Sequence, residues 1–292
     1  MQVGTKMASL RWTFRFNDWK PTREQWLRAN RAVQPEERER IGRFVFQRDA
    51  KAAMSGRLLL RKAIATSLGI PFKEIDLQRT EKGKPFLRNA HPQLPLFNFN
   101  VSHQGHLAVL ASEPIHQVGV DVMQIEYPRG SKTTEEFFET MNRQFTENEW
   151  LSIKESLDEW EQLAAFYRHW CLKESYVKAI GTGIGFSLQR LDFHVQSTLN
   201  PGCSVSDTKV YVDGKLEESW LFQETMIGSK HCIAVALHQV SSDHSLPTSS
   251  PQKFEELNFE SLIEGSEELS MVDEELWNSF SKKESLPRGA KS

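Results

Sequence analysis

The chain has 292 residues, 39% of them hydrophobic and 26% charged, with a formal net charge of −3. That is enough for one large or two small domains with a real core. Three cysteines without metal spacing argue against a disulfide framework and for a reducing compartment. The first residues carry no apolar signal region, and no run approaches the roughly 18 apolar residues of a membrane span, so the expectation is a cytosolic protein with no membrane partner.

The charge is unevenly spread. Residues 1–90 hold 20 Lys/Arg against 9 Asp/Glu, residues 91–240 hold 11 against 19, and residues 241–292 hold 5 against 11. A basic first segment attracts polyanions. No zinc-finger or RNP-type signature accompanies it, and the bases are mixed with acids as in Glu36–Arg40, so nucleic acid is not expected.

In chain order, a helix is predicted over about Asp49–Leu68, stopped by Gly69 and Pro71. Strands follow near Ile75–Leu77, Phe97–Val101 and Leu107–Ala111. Valines at 118, 120 and 122 alternate as in a half-buried strand, which puts Asp121 and Met123 together on its other face. A long helix spans about Gln162–Ile180, and later strands fall at Lys209–Val212, Trp220–Phe222 and Cys232–Leu237. From Ser241 the chain turns Ser-, Pro- and acid-rich, read as a mobile, partly disordered extension with short docked elements near Phe254–Leu262 and Leu276–Phe280. The boundaries drawn are 1–117, 118–240 and 241–292. Lys62–Ile70 also echoes Lys178–Phe186 at an offset of 116, which pairs Leu58 with Glu174.

The chemistry concentrates in Trp170–Phe186. Leu163, Phe166, Trp170 and Val177 recur at helical spacing, and Glu174 falls on that apolar face with Lys178 one turn on. A buried Glu174–Lys178 ion pair is one reading; a metal ligand or general base is the other, and it needs a second carboxylate. Asp121 supplies one. Two hard oxygen ligands suit Mg²⁺, whose remaining positions are filled by phosphates and water. The turn Arg79-Thr80-Glu81-Lys82-Gly83-Lys84 and the strand end Asn100-Val101-Ser102-His103 are candidate phosphate receivers. P-loop and dinucleotide-fingerprint spacings are absent.

Taken in order, Gly83-Lys84-Pro85, Asn100-Val101-Ser102-His103, Gly119-Val120-Asp121-Val122 and Trp170-Cys171-Leu172-Lys173-Glu174-Ser175, followed by Lys178-Ala179-Ile180-Gly181-Thr182-Gly183, resemble the motif series of the Sfp-type 4′-phosphopantetheinyl transferases. The resemblance runs over about residues 10–240. It implies an α/β (α+β) fold of two similar halves related by a pseudo-twofold. Each half would be a small, mostly antiparallel sheet with a long helix, and the active site would lie between them. It implies transfer of the phosphopantetheine arm of coenzyme A to a serine of an apo acyl carrier protein, releasing adenosine 3′,5′-bisphosphate.

By the same resemblance Asp121 and Glu174 hold Mg²⁺, with Mn²⁺ as a substitute. Glu174 or a water it polarises acts as base, and Lys178 and His103 complete the catalytic set. Coenzyme A is met by Arg40, Arg79, Thr80, Glu81, Lys82, Gly83, Lys84, Asn100, Val101, Ser102, His103, Glu174, Ser175 and Lys178. Implied carriers are domains of fatty acid synthase, of aminoadipate-semialdehyde dehydrogenase and of formyltetrahydrofolate dehydrogenase, served by a monomer. Several bacterial relatives carry a third acid where this chain has Met123, a poor Mg²⁺ ligand, and a water is expected in that position. The competing reading is a non-catalytic module that binds coenzyme A or a carrier protein.

Overall fold

In the computed structural model, residues 8–130, 132–247 and 251–285 are described. The buried sequence Leu10-Arg11-Trp12-Thr13-Phe14 forms β1 (Leu10–Phe14). Helix α1 (Arg23–Arg31) starts at a capping box in which Thr22 and Gln25 satisfy each other's backbone N–H. Helix α2 (Pro35–Gly42) begins with proline at its first turn, where the missing N–H costs nothing. The 22-residue α3 (Gln47–Leu68) ends at Gly69, which is left-handed at φ 64° and whose N–H bonds the Ala65 carbonyl at 2.9 Å. A short hairpin, β2 (Leu77–Arg79) with β3 (Pro85–Leu87), precedes a longer one, β4 (Asn98–Gln104) with β5 (Leu107–Glu113).

The second half repeats this plan. Strand β6 (Gln117–Gln124) is followed by α4 (Thr134–Met141) and α5 (Glu147–Ile153), each opened by a Thr–Glu capping box. The 22-residue α6 (Glu159–Ile180) ends at Gly181, left-handed at φ 71°. Strands β7 (Leu191–His194), β8 (Ser204–Val205), β9 (Lys209–Val212) and β10 (Lys215–Leu216) lead to the hairpin β11 (Trp220–Ile227) and β12 (His231–His238). The order β1-β5-β4 in one sheet matches β6-β12-β11 in the other, all antiparallel, with α3 and α6 at equivalent points of the connection. The expected pair of related halves is present. Its true offset is 112 residues, from Gln47 to Glu159 and from Gly69 to Gly181, not the 116 of the sequence echo, so Lys62 rather than Leu58 corresponds to Glu174.

Other expectations shift by a few residues. The strand placed at Ile75–Leu77 forms as Leu77–Arg79 after a 3₁₀ turn at Phe72–Glu74, and Trp220–Phe222 extends to Ile227. Both long helices begin earlier than expected, at Gln47 and Glu159.

The two sheets pack through Val118, Val120 and Val122 of β6, Ile233, Val235 and Leu237 of β12, and Leu107, Val109 and Ala111 of β5. Burying each such side chain contributes about 1.5–3 kcal/mol before entropy is counted. The edges of β4 and β6 meet differently. Side-chain carbonyls of Asn98, Asn100 and Gln104 accept from the backbone N–H groups of Val118, Val120 and Gln124. Amides at alternate positions of β4 thus replace a backbone ladder. At the one rung where the amide gives way to Ser102, its hydroxyl donates to Asp121 instead.

The tail returns to the basic first half. Strand β13 (Glu255–Glu256) pairs parallel with β1, α7 (Phe259–Ile263) packs on α3, and α8 (Glu274–Ser281) packs on α1. Both stretches expected to dock do so, and residues between them also engage: Glu264 lies 3.7 Å from Lys62 and Glu267 3.8 Å from Lys73. Exposed pairs of this kind stabilise little. The hold comes from aromatic stacking, with Phe280 on Trp26 at 3.8 Å between centroids and Phe259 on Trp19 at 5.1 Å.

Candidate active site

Gly119 fixes the site's geometry. A Cβ there would come 2.1 Å from the Ser175 carbonyl oxygen and 2.4 Å from the Ala179 nitrogen, so α6 lies directly on β6 only because position 119 has no side chain. Two residues along the same face, Asp121 is 4% exposed and meets α6. Its Oδ1 accepts from Ser102 Oγ at 2.8 Å and from Lys178 Nζ at 2.6 Å; Lys178 also donates to Ser102 Oγ at 2.7 Å. Its Oδ2 is buried and has no hydrogen-bond partner among the described residues.

Glu174 stands one turn before Lys178, half-buried. Burial first, then the charge of Asp121, raises its carboxyl above the ordinary range, while Lys178 pulls the other way. The helical face read from sequence changes character along its length. Leu163 and Phe166 enter the core, whereas Trp170, Glu174, Val177 and Lys178 open onto a cavity of about 520 Å³. Lys82, Gly83, Lys84, Asn100 and Val101 form the opposite wall, with Phe186 and Leu188 adding an apolar side.

A buried carboxylate oxygen without a partner, beside a second carboxylate whose pKa it raises, is a site short of a cation. Two oxygen donors fit Mg²⁺. Among the described residues no group of three or more His, Cys, Asp or Glu side chains is placed to hold a metal. Met123 lies on the same strand face but packs into the core beneath α6 and lines no cavity adjoining Asp121.

Next to this wall, a cavity of about 280 Å³ is lined by Arg40, Arg57, Arg79, Ser102, His103 and Lys178. Glu37, 5% exposed, organises the arginines. It accepts from Arg79 Nε at 2.8 Å and Arg79 Nη2 at 3.1 Å, and lies 3.0 Å from Arg57 Nε and 3.2 Å from Arg40 Nε. One carboxylate among three guanidiniums leaves a fixed positive surplus, and Arg57 Nη1 is buried without a hydrogen-bond partner among the described residues. Such a cradle suits a phosphate, which Arg forks bind bidentately. Burial, Lys178 and Arg40 together lower the His103 imidazole, so the neutral ring is the form present at pH 7.

Several expected contacts are used differently. Lys84 Nζ donates to the carbonyls of Lys178 and Ala179, both at 3.0 Å, so it caps α6 while lining the cavity. Lys82 Nζ reaches the Thr182 carbonyl at 2.6 Å. Thr80 Oγ1 accepts from the Lys84 N–H at 3.1 Å and Gly83 takes φ 82°, which shapes the turn; Thr80 and Glu81 line neither cavity. Ser175 faces the sheet, fully buried, with its hydroxyl turned to the Leu172 carbonyl, and it too lines neither cavity. Glu37 and Arg57 went unread in the sequence. The usable signal was Arg57 just before Leu58–Leu60 in a helix, a buried cation that requires an acid.

Comparison with known proteins matches both halves of the chain. The family description "4′-phosphopantetheinyl transferase, N-terminal" matches residues 17–115, and "4′-phosphopantetheinyl transferase superfamily" matches residues 117–236. The chain is 50% identical over 290 residues to the L-aminoadipate-semialdehyde dehydrogenase-phosphopantetheinyl transferase of Xenopus laevis, covering 96% of this chain and 94% of the relative. It is 47% identical over 299 residues to the protein of that name from Homo sapiens, covering 98% and 96%. A phosphopantetheinyl transferase from Thraustochytrium sp. is 39% identical over 236 residues, covering 80% and 79%. With both halves matched, the chain belongs to the 4′-phosphopantetheinyl transferase superfamily.

Proposed function

We propose that the protein transfers the 4′-phosphopantetheine arm of coenzyme A to a serine of apo acyl carrier protein domains. The carrying observation is the partnerless Asp121 Oδ2 beside Glu174, set against the arginine cradle around Glu37. The cradle of Arg40, Arg57 and Arg79 holds phosphate charge of coenzyme A, and the 520 Å³ cavity takes its nucleotide end between Lys82–Lys84 and Trp170.

Asp121 and Glu174 are the residues that would hold Mg²⁺. When bound, the ion neutralises charge developing on the pyrophosphate and the leaving bisphosphate. Glu174, with its raised carboxyl pKa, accepts the proton of the attacking serine hydroxyl. The serine oxygen bonds to the phosphorus bearing the pantetheine arm, the bridging P–O bond breaks, and adenosine 3′,5′-bisphosphate leaves. Lys178, tied to Asp121 and Ser102, orients the acids and balances charge. Neutral His103 donates its N–H to a phosphate oxygen.

Carrier domains of aminoadipate-semialdehyde dehydrogenase, fatty acid synthase and formyltetrahydrofolate dehydrogenase are the proposed acceptors, and action as a cytosolic monomer is part of the same reading. No helix among the described residues is long and apolar enough to cross a membrane. The test is intact mass spectrometry of an apo carrier domain with the protein, coenzyme A and Mg²⁺. A gain of one phosphopantetheine is expected, and Glu174→Gln should slow it by about 10² or more. A binding module without turnover would leave the carrier mass unchanged, and activity surviving full chelation would remove the metal assignment.

A further inference from the structure

At the far end of the β4–β6 seam, beyond Gln104 and Gln124, lies a second polar cavity of about 560 Å³ that no step of the transfer uses. Arg15, Arg48, Arg129, Lys230, His106 and His231 line it, against a single acid, Glu126. Of the cations, Arg15 is engaged by Glu256, Arg129 by Glu126 at 3.1 Å, and Arg48 by the Gly105 carbonyl at 2.7 Å; Lys230 has no partner among the described residues. His231 is 7% exposed, yet its Nε2 has no hydrogen-bond partner among the described residues. Gly105, at φ 62°, packs against two of the lining residues: a Cβ there would come 2.3 Å from Gln124 Oε1 and 2.8 Å from His231 Nε2.

Burial, then His106, Arg15 and Lys230, lowers the His231 imidazole to about 4. The ring is therefore neutral at pH 7 and surrounded by positive charge. A buried imidazole nitrogen without a partner, inside a cationic cavity, is incomplete without a ligand oxygen.

We propose that this cavity receives an acidic side chain of the carrier protein and so aligns the carrier serine with Asp121 and Glu174. The proposal rests on the transferase reading above. Position fixes the occupant. Along β4 and the turn that follows it, the nucleotide cavity lies at Asn100–Val101, the arginine cradle at Val101–His103 and this cavity at His106. Gln124 follows Asp121 by three residues, about 10 Å at the usual strand rise. A protein domain presenting a serine at Asp121 is large enough to reach this point of the seam. A carboxylate complements the surplus of cations, whereas the uncharged pantetheine arm does not.

The test is steady-state transfer with carrier and coenzyme A varied separately, using Arg129→Glu/Lys230→Glu, two changes in the loops flanking the cavity. The KM for carrier should rise about tenfold or more, with the salt dependence of kcat/KM flattened, while KM for coenzyme A and Tm stay at wild-type values. Reversing one acidic carrier residue to lysine should restore part of the loss in the double variant only. An unchanged carrier KM overturns the proposal. So does competitive inhibition by inorganic phosphate that the double variant abolishes without any change in carrier KM, because the cavity would then serve a free anion. Should wild type transfer nothing, the transferase reading fails, and calorimetric titration of carrier into wild type and double variant still decides whether this cavity binds it.

Discussion

The helices α3 and α6 invite direct comparison. Both have 22 residues, both stop at a left-handed glycine, and both sit on sheets of the same connectivity. Their charges differ. Helix α3 buries Lys51, Arg57 and Arg61 and no acid; α6 turns Glu174 and Lys178 into the cleft. Where α6 has Glu174, α3 has Lys62, whose ammonium faces Glu264 of the tail. One scaffold used twice therefore carries different charges, with a cluster of arginines on the first half and a Glu–Lys pair facing the cavity on the second. The face of the first half that would mirror the active one is covered by the chain's own acidic strap.

The comparison can be broken most severely at Glu37, the acid that lets the first half keep three arginines together. Glu37→Gln leaves the buried Arg57 without its counter-charge beside the more exposed Arg40 and Arg79, and should cost about 3 kcal/mol in urea unfolding, with a raised KM for coenzyme A. Phe280→Ala, which unstacks the tail from Trp26, should cost about 3 kcal/mol while kcat per folded molecule holds. A fall in kcat would tie the strap to catalysis. Gly119→Ala pushes α6 off β6 and should cost about 1–3 kcal/mol, with turnover lost out of proportion because Glu174 moves with the helix.

The smallest effect is expected at the joint between the halves, where His116 lies 3.9 Å from Glu113. Glu113 and the carbonyls of His244 and Ser245 raise the imidazole, and burial opposes them. A raised folded-state pKa adds stability below the unfolded value, lost as pH rises through the folded one. The Tm advantage of wild type over His116→Gln should accordingly shrink from pH 6 upward. An advantage constant across that range would show the contact to be packing alone.

Where periodicity and caps carried the signal, the sequence was readable: the β6 valines, the glycine stops of both long helices and the Asp121, Glu174 and Lys178 set lie where expected. Helices α1, α4 and α5 were legible but unread, since Thr22–Gln25, Thr133–Glu136 and Thr146–Glu149 are capping boxes in plain view. The echo at offset 116 misled because it aligned similar letters rather than helix ends. Roles set by three-dimensional crowding were not accessible. Nothing local says that Lys84 spends its charge on α6 carbonyls or that Ser175 turns inward. Nor does local sequence show that one buried glutamate binds arginines from α2, α3 and β2.

The side-chain rungs between β4 and β6 have a mechanical consequence. Backbone pairing fixes strand separation at one value, close to 4.8 Å, whereas a rung made by an asparagine or glutamine side chain is as long as its stem. Asn98 and Asn100 are short rungs and Gln104 is one methylene longer. Exchanging Asn98 for Gln would act as a shim, resetting the width of the cleft at a residue that lines neither the nucleotide cavity nor the arginine cradle.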